Sequence, residues 1–179
     1  MSTKEFPGSE LEIPQGAHLE LAGDSLIAKG PAGEVKRRFP KKELEIKING
    51  NKVIVQAKRS GSLGRMLVGT WSSHIKNMAL GVLNQFTYKL KVVYSHFPIS
   101  VSLSNKEFVV QNFLGEKKAH KYIIPNGVNV TVKDNIITVS SSDIELAGQA
   151  ATRIEQLCKV RNKDRRIFQD GIYIIERPK

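Results

Sequence analysis

Leu44-Glu45-Ile46-Lys47-Ile48-Asn49-Gly50-Asn51-Lys52-Val53-Ile54-Val55 is the stretch that decides the fold. Apolar residues alternate with charged ones on either side of Asn49-Gly50, so the segment reads as two half-buried strands joined by a tight hairpin turn. Asn-Gly favours a turn in which both central residues take positive φ. From Ser62 the period changes from two to 3.6. Leu63, Met66, Leu67, Thr70, Trp71, His74, Ile75 and Met78 recur at three- and four-residue spacing, which predicts a helix that packs this stripe on a sheet and ends near Gly81. Upstream, short strands are expected at Leu11 to Ile13, His18 to Leu21, Ser25 to Lys29 and Glu34 to Phe39, punctuated by Pro14-Gln15-Gly16, Gly23-Asp24 and Gly30-Pro31-Ala32-Gly33. Residues 1–10 are polar, carry Pro7 and Gly8, and read as a loose lead-in.

The same order recurs downstream. Phe86, Tyr88, Leu90 and Val92 alternate, followed by strands at Ile99 to Leu103, Phe108 to Asn112 and Lys117 to Tyr122. Val128, Val130 and Val132 then alternate up to a turn at Asp134-Asn135, and Ile137 and Val139 return. Ser142 with Glu145 three residues later has the pattern of a capping box, opening a helix whose apolar face carries Leu146, Ala147, Ala150, Ile154, Leu157 and Cys158. Leu26 to Glu34 lies over Phe108 to Glu116, Leu44 to Val55 over Val128 to Val139, and Gly69, Ile75 and Met78 over Gly148, Ile154 and Leu157. Identities are few, but turn, hairpin and helix recur in one order, as in a duplication. The expected fold class is α+β: two tandem duplicated domains, each a twisted, antiparallel-rich β-sheet packed on one α-helix. The corresponding boundaries are an N-terminal extension at 1–10, a first repeat at 11–83, a second repeat at 84–160 and a basic tail at 161–179 that packs on the second repeat.

With 179 residues, 40% of them hydrophobic and 25% charged, the chain has the composition of a folded protein. Lys and Arg number 28 against 17 Asp and Glu, a formal charge of +11. That balance suits a polyanion partner, RNA or DNA. The single Cys158 forms no internal disulfide and, with four scattered His residues, offers no zinc spacing. The first ten residues lack the apolar core of a signal peptide and no run of 18 apolar residues occurs, so a cytoplasmic protein is expected, with no membrane partner.

Enzyme motifs are missing: there is no Walker loop, no Gly-x-Gly-x-x-Gly, no Gly-x-Ser-x-Gly and no His-Glu-x-x-His. His74 on the helix stripe reads as a packed boundary histidine, and Cys158 as a small buried hydrophobe. Asp164 and Asp170, set among cations, read as residues that orient arginines. No catalytic residue, metal or cofactor is expected.

The stretch Arg161-Asn-Lys-Asp-Arg-Arg-Ile-Phe-Gln-Asp-Gly-Ile-Tyr173 concentrates the binding chemistry. Cations cluster from Lys159 to Arg166 at a helix end, and the apolar Ile167-Phe168 and Gly171 to Ile175 that follow must pack somewhere and so hold the cations in place. Arg offers bidentate phosphate contacts and stacking, Asn162 and Gln169 can read base edges, and Phe168 and Tyr173 can stack. A solvated charged terminus is the plain alternative. Two lesser patches are Lys36-Arg37-Arg38 with Lys41-Lys42, and Lys117-Lys118 with His120-Lys121 beside an exposed-looking apolar turn, Phe113-Leu114-Gly115. Either suits an ordinary edge strand, where Lys blocks pairing with other chains. The second patch is the one favoured for RNA.

These residues carry a resemblance. Val68-Gly-Thr with His74-Ile-Lys-Asn-Met78, Tyr88-Lys-Leu-Lys-Val-Val-Tyr-Ser-His-Phe-Pro98, Asn112-Phe-Leu-Gly-Glu-Lys117, Asp143-Ile-Glu-Leu146 and Lys163-Asp-Arg-Arg-Ile-Phe-Gln-Asp-Gly-Ile-Tyr173 are similar, in order and along nearly the whole chain, to the large-subunit ribosomal protein L-six family. The form is archaeal or eukaryotic, where the eukaryotic member is called L-nine, and the last motif has archaeal wording. The resemblance implies a duplicated α/β protein that is a structural constituent of the large ribosomal subunit. It also implies binding to large-subunit ribosomal RNA near the sarcin–ricin loop, at the base of the acidic stalk, with ribosomal proteins and translational GTPases close by. Carried over residue by residue, the RNA-facing tail comprises Lys159, Arg161, Asn162, Lys163, Arg165, Arg166, Gln169 and Tyr173, and the second-domain loop Asn112, Phe113, Gly115, Lys117 and Lys118. A free-standing RNA-binding regulator and an enzyme acting on RNA are the rival readings.

Overall fold

A computed structural model describes residues 7–95, 97–164 and 166–178. It divides into two compact units, residues 1–85 and 86–179.

In the first unit, β1 (Gly8–Glu12) opens the chain, followed by β2 (His18–Ala22), β3 (Ser25–Gly30), β4 (Gly33–Arg38), β5 (Leu44–Asn49), β6 (Lys52–Ala57) and α1 (Ser62–Gly81). The strands form two antiparallel three-stranded sheets, ordered β1-β6-β5 and β2-β3-β4. The first strand begins three residues earlier than the sequence suggests, inside the stretch read as a lead-in: Gly8 to Glu12 pair with Gln56 to Lys52. Ladder hydrogen bonds, which any residue other than proline can make in full, hold this polar segment in place.

The hairpin forms with the expected alternation, but Asn49 pairs with Lys52, so its central residues are Gly50 and Asn51 rather than Asn49 and Gly50. Only Gly50 takes positive φ, at 58°. Glycine at the first central position is the choice of the II′ class of turn. Helix α1 has the expected span but is rotated relative to the expected stripe. It buries Gly64, Val68, Trp71, Ile75, Met78 and Ala79, while Leu63 and Met66 stand 56% and 58% exposed. The reason is steric: Trp71 turns inward to meet Phe39 edge-on at 6.0 Å, and small Gly64 and Val68 then let the helix approach the sheet. The core joins both sheets to the helix through residues such as Leu26, Leu44, Val53, Val55 and Ile75.

The second unit repeats the order: β7 (Phe86–Val93), β8 (Ser100–Ser104), β9 (Glu107–Gln111), a 3-10 turn at Phe113–Gly115, β10 (His120–Ile123), β11 (Val128–Lys133), β12 (Ile136–Ser141), α2 (Ile144–Leu157) and β13 (Gly171–Glu176). Its sheets are β10-β9-β8 and β11-β12-β7-β13, all pairs antiparallel. The duplicated α+β architecture is therefore present, with the strands of each repeat shared between two sheets rather than gathered in one. Gly50-Asn51 of the first hairpin corresponds to Asp134-Asn135 of the second, where Asp134 takes φ 51°. Helix α2 is capped by Asp143, whose carboxylate accepts the Glu145 N–H at 2.9 Å, and not by Ser142. Asp has the better geometry here because its own N–H is held by the Ser141 hydroxyl at 3.2 Å. Lys117 and Lys118, expected at the start of a strand, lie in the bend before β10.

The tail strand β13 is the fourth strand of the sheet. Ile172 is 1% exposed in the second core, and β13 pairs with β7 along Gly171↔Val93 to Ile174↔Leu90.

Candidate nucleic-acid interface

Thirteen residues, 158–170, separate α2 from β13, and local bonds among the described ones shape the segment. Val160 is buried and pins the start of the segment under α2, and Asn162 adopts the left-handed conformation at φ 57°, which Asn tolerates better than most residues. Asp164 then closes a turn. Its carboxylate accepts the Arg166 N–H at 2.9 Å and a two-pronged contact from the Arg166 guanidinium at 3.2 and 3.1 Å, while its carbonyl accepts from Ile167 and Phe168. Arg166 beside it holds the Asp164 carboxyl below the usual carboxylate range. The Arg166 side chain is 91% exposed, so it is aimed outward rather than neutralised by burial.

The other tail residues fall into place around this turn. Gln169 donates to the Arg166 carbonyl at 3.1 Å, and Tyr173 donates its hydroxyl to the Gln169 carbonyl at 3.1 Å. Lys163 sits 4.7 Å over the Phe168 ring. Lys159 and Arg161 are exposed and have no acidic partner among the described residues. Arg165, expected to contact RNA, lies outside the described residues. Asp170 departs from its expected role. It is 4% exposed and accepts the Ser95 N–H at 2.8 Å, so it ties the tail to the end of β7 instead of orienting an arginine.

The expected loop, residues 112–118, is a tight left-handed crossing: Asn112, Leu114 and Gly115 take φ values of 61°, 53° and 77°. Asn112 donates from its side-chain amide to the Pro98 carbonyl at 3.0 Å. Phe113 is not exposed as expected; it is 4% exposed in the second core, edge-on to His120 at 5.8 Å. The left-handed backbone on both sides of it turns the ring inward, where burial of its apolar surface favours it. Lys117 and Lys118 stay exposed, without an acidic partner among the described residues. His120 contacts Glu116 at 3.2 Å and Lys121 contacts Glu107 at 3.3 Å.

Both cationic segments hang from one short connection. Ser95 holds Asp170 of the tail, Pro98 holds Asn112 of the loop, and a Cβ at Gly115 would sit 3.4 Å from the Phe97 ring. Next to the tail runs an open cleft of about 410 Å³ lined by Tyr122, Arg153, Gln156, Leu157 and Arg161. Burial raises the Tyr122 pKa, with Arg153 pulling the other way. Two guanidinium groups, an amide and an aromatic ring in one cleft are suited to phosphate and base together. Of these, Tyr122, Arg153 and Gln156 are not in the expected site. Arg153 and Gln156 lie one helical turn apart on α2, and that spacing was the available signal.

Elsewhere the chemistry is quiet. Burial pushes the Cys158 thiol up to about 12, the behaviour of a packed hydrophobe. His74 packs edge-on to Trp71 at 5.5 Å and shares a 2.9 Å contact with Arg37, which takes one cation of the Lys36-Arg37-Arg38 patch into a part-buried pair. No group of three or more His, Cys, Asp or Glu side chains among the described residues could hold a metal ion, and no described helix is long and apolar enough to cross a membrane.

Comparison with known proteins matches residues 13–85 and 97–171 to the family described as Ribosomal protein L6, in two segments that fall on the two repeats. Among similar proteins, the large ribosomal subunit protein uL6 of Methanocella arvoryzae is 41% identical over 166 residues, covering 92% of this chain and 94% of the relative. That of Halobacterium salinarum is 41% identical over 169 residues, covering 94% and 95%. That of Aeropyrum pernix is 42% identical over 168 residues, covering 93% and 92%.

Proposed function

The chain belongs to the ribosomal protein L6 family, a family of structural proteins and not of enzymes, and from that premise we propose how it holds RNA. It serves as a structural constituent of the large ribosomal subunit in the cytoplasm, in translation, with ribosomal RNA and neighbouring ribosomal proteins as its partners. The finer reading is that the second repeat binds large-subunit RNA near the sarcin–ricin loop, at the stalk base where translational GTPases dock.

One observation carries this reading: the tail, through Asp170 on Ser95, and the loop, through Asn112 on Pro98, are held by the same connection with their cations turned outward. Lys159, Arg161, Lys163, Arg166, Lys117 and Lys118 supply phosphate contacts, and Asn162 lies just before the turn in the left-handed conformation. Gln169 and Tyr173 bond within the tail and keep its shape, so their part is chiefly to position Arg166. Phe113 and Gly115 shape the loop from inside. Arg153, Arg161 and Tyr122 add a cleft for a base and its phosphate. Phosphate contacts fix orientation and release counterions, while the rigid scaffold selects an RNA shape.

The test is salt-dependent binding of the intact chain to a sarcin–ricin-loop RNA and to a shuffled RNA of equal length. Neutralising about five phosphates at about −0.7 per phosphate gives a log–log slope of roughly −3 to −4. Truncation after Cys158 is a poor control because it removes β13 from the sheet. Surface variants Arg161→Ala, Arg166→Ala, Lys117→Ala and Lys118→Ala serve instead. Preference for the true fragment that these variants abolish supports the reading, and equal binding of both RNAs overturns it.

A further inference from the structure

The two repeats differ at one sheet edge. The hydrogen bond from the Ile13 N–H to the Asn51 carbonyl, 2.9 Å, has its counterpart in that from the Val92 N–H to the Asn135 carbonyl, 2.8 Å. Ile13 therefore corresponds to Val92 and Leu11 to Leu90, which places β1 on β7 and β6 on β12. In the second repeat, β13 covers the outer edge of β7, with Ile172 beside Val92 and Ile174 beside Leu90. In the first repeat, β1 has only β6 as a neighbour among the described residues.

The helices repeat the comparison. On α2, Glu155 accepts the Ile174 N–H at 3.1 Å, and a Cβ at Gly171 would come within 3.1 Å of the Cys158 carbonyl oxygen. The residues of α1 that correspond to Ile154, Glu155, Cys158 and Lys159 are Ile75, Lys76, Ala79 and Leu80. Those four, with Leu11, Glu12 and Ile13, line an open groove of about 480 Å³. The place filled by β13 in one repeat is an apolar groove in the other.

We propose that this groove in the first repeat takes an extended strand from a partner polypeptide, added to the edge of β1 as β13 is added to β7. Peptide groups alternate in direction along an antiparallel strand, so with Ile13 turned to Asn51 the N–H and C=O of Glu12, and of Glu10 two residues back, face the open edge. Such an edge gives main-chain affinity, and the pockets under it select side chains at every second position. The occupant carries branched apolar residues two apart, one beside Ile13 and Ala79 and one beside Leu11 and Ile75. Where Glu155 accepts an N–H, the first repeat offers Lys76, a donor. The partner strand therefore presents a carbonyl or carboxylate at that point. Leu80, 42% exposed at the mouth of the groove, is the apolar surface that the strand covers.

The probe is a synthetic peptide copying residues 169–178, titrated into the intact isotope-labelled chain without RNA, with amide shifts as the readout. The expected result is saturable shifts at Glu10 and Glu12. Replacing the isoleucines at positions 172 and 174 of the peptide by serine should weaken binding about tenfold or more, and Leu80→Glu in the chain should weaken it to a similar degree. No shifts at β1 up to millimolar peptide, equal binding of the serine form, or indifference to Leu80→Glu would each overturn the proposal. Self-association of the chain that Leu80→Glu abolishes would instead make the occupant a second copy. Peptide binding that appears only after removal of residues 1–6 would make it this chain's own N-terminus, and either result overturns the partner assignment. The assay holds no RNA and reads the first repeat, so its outcome is separate from that of the tail.

Discussion

Asp170 Oδ1 accepts the backbone N–H of Ser95 at 2.8 Å, with Asp170 only 4% exposed. This bond closes the second repeat's sheet on the tail that follows α2. Asp170→Ala removes the acceptor and is expected to cost about 1–3 kcal/mol. Urea unfolding of the intact chain measures it, and RNA affinity should fall with it because the tail loses its tie to the loop connection.

Helix α1 allows a direct comparison. Met66→Lys, on a residue 58% exposed, is expected to change stability by no more than about 0.5 kcal/mol, whereas Ile75→Ala, 2% exposed, should cost about 2–5 kcal/mol. Equal losses in chemical denaturation would mean that the expected stripe, and not the observed face, meets the sheet.

Cys158 gives the stability a dependence on alkaline pH. Its folded pKa is raised to about 12, so the native state keeps the thiol while the unfolded chain ionises above about 8.5. The contribution is complete below the unfolded pKa and is lost as pH rises towards the folded one. Stability should decline by at most about 1.4 kcal/mol per pH unit between roughly pH 9 and 11, and Cys158→Ala should flatten that decline.

Asp164 behaves in the opposite sense. Its folded pKa is lowered by Arg166, so the contact is complete above the ordinary carboxylate value and is lost as pH falls through the lowered one. A carboxyl titration followed by NMR should place Asp164 below its ordinary value, and Arg166→Ala should return it there. The geometry of the turn is then constant across the pH range in which RNA binding is measured.

Arg153 and Arg161 share the cleft with Tyr122. In the proposed RNA complex, Arg153→Ala with Arg161→Ala should make the log–log salt slope shallower by about 1 to 2. An unchanged slope would place the cleft outside the interface.

Much of the fold is legible in local pattern. Alternation from Leu44 to Val55, its return from Val128 to Val139 and the change of period at Ser62 and after Ser142 determine strands, hairpins, helices and their duplication, because each depends on neighbours within a turn or a strand. The cationic run from Lys159 to Arg166 is legible for the same reason. What the tertiary structure decided depends on residues far apart. Trp71 meeting Phe39 sets the rotation of α1, and left-handed backbone at Asn112 and Leu114 turns Phe113 into the core. The pairing of Gly171 to Ile174 with Val93 to Leu90 makes a tail into a strand. Periodicity says that a segment has an apolar face; only the long-range pairing, which no local pattern contains, says what that face meets and which edge, here that of β1, is left without a described neighbour.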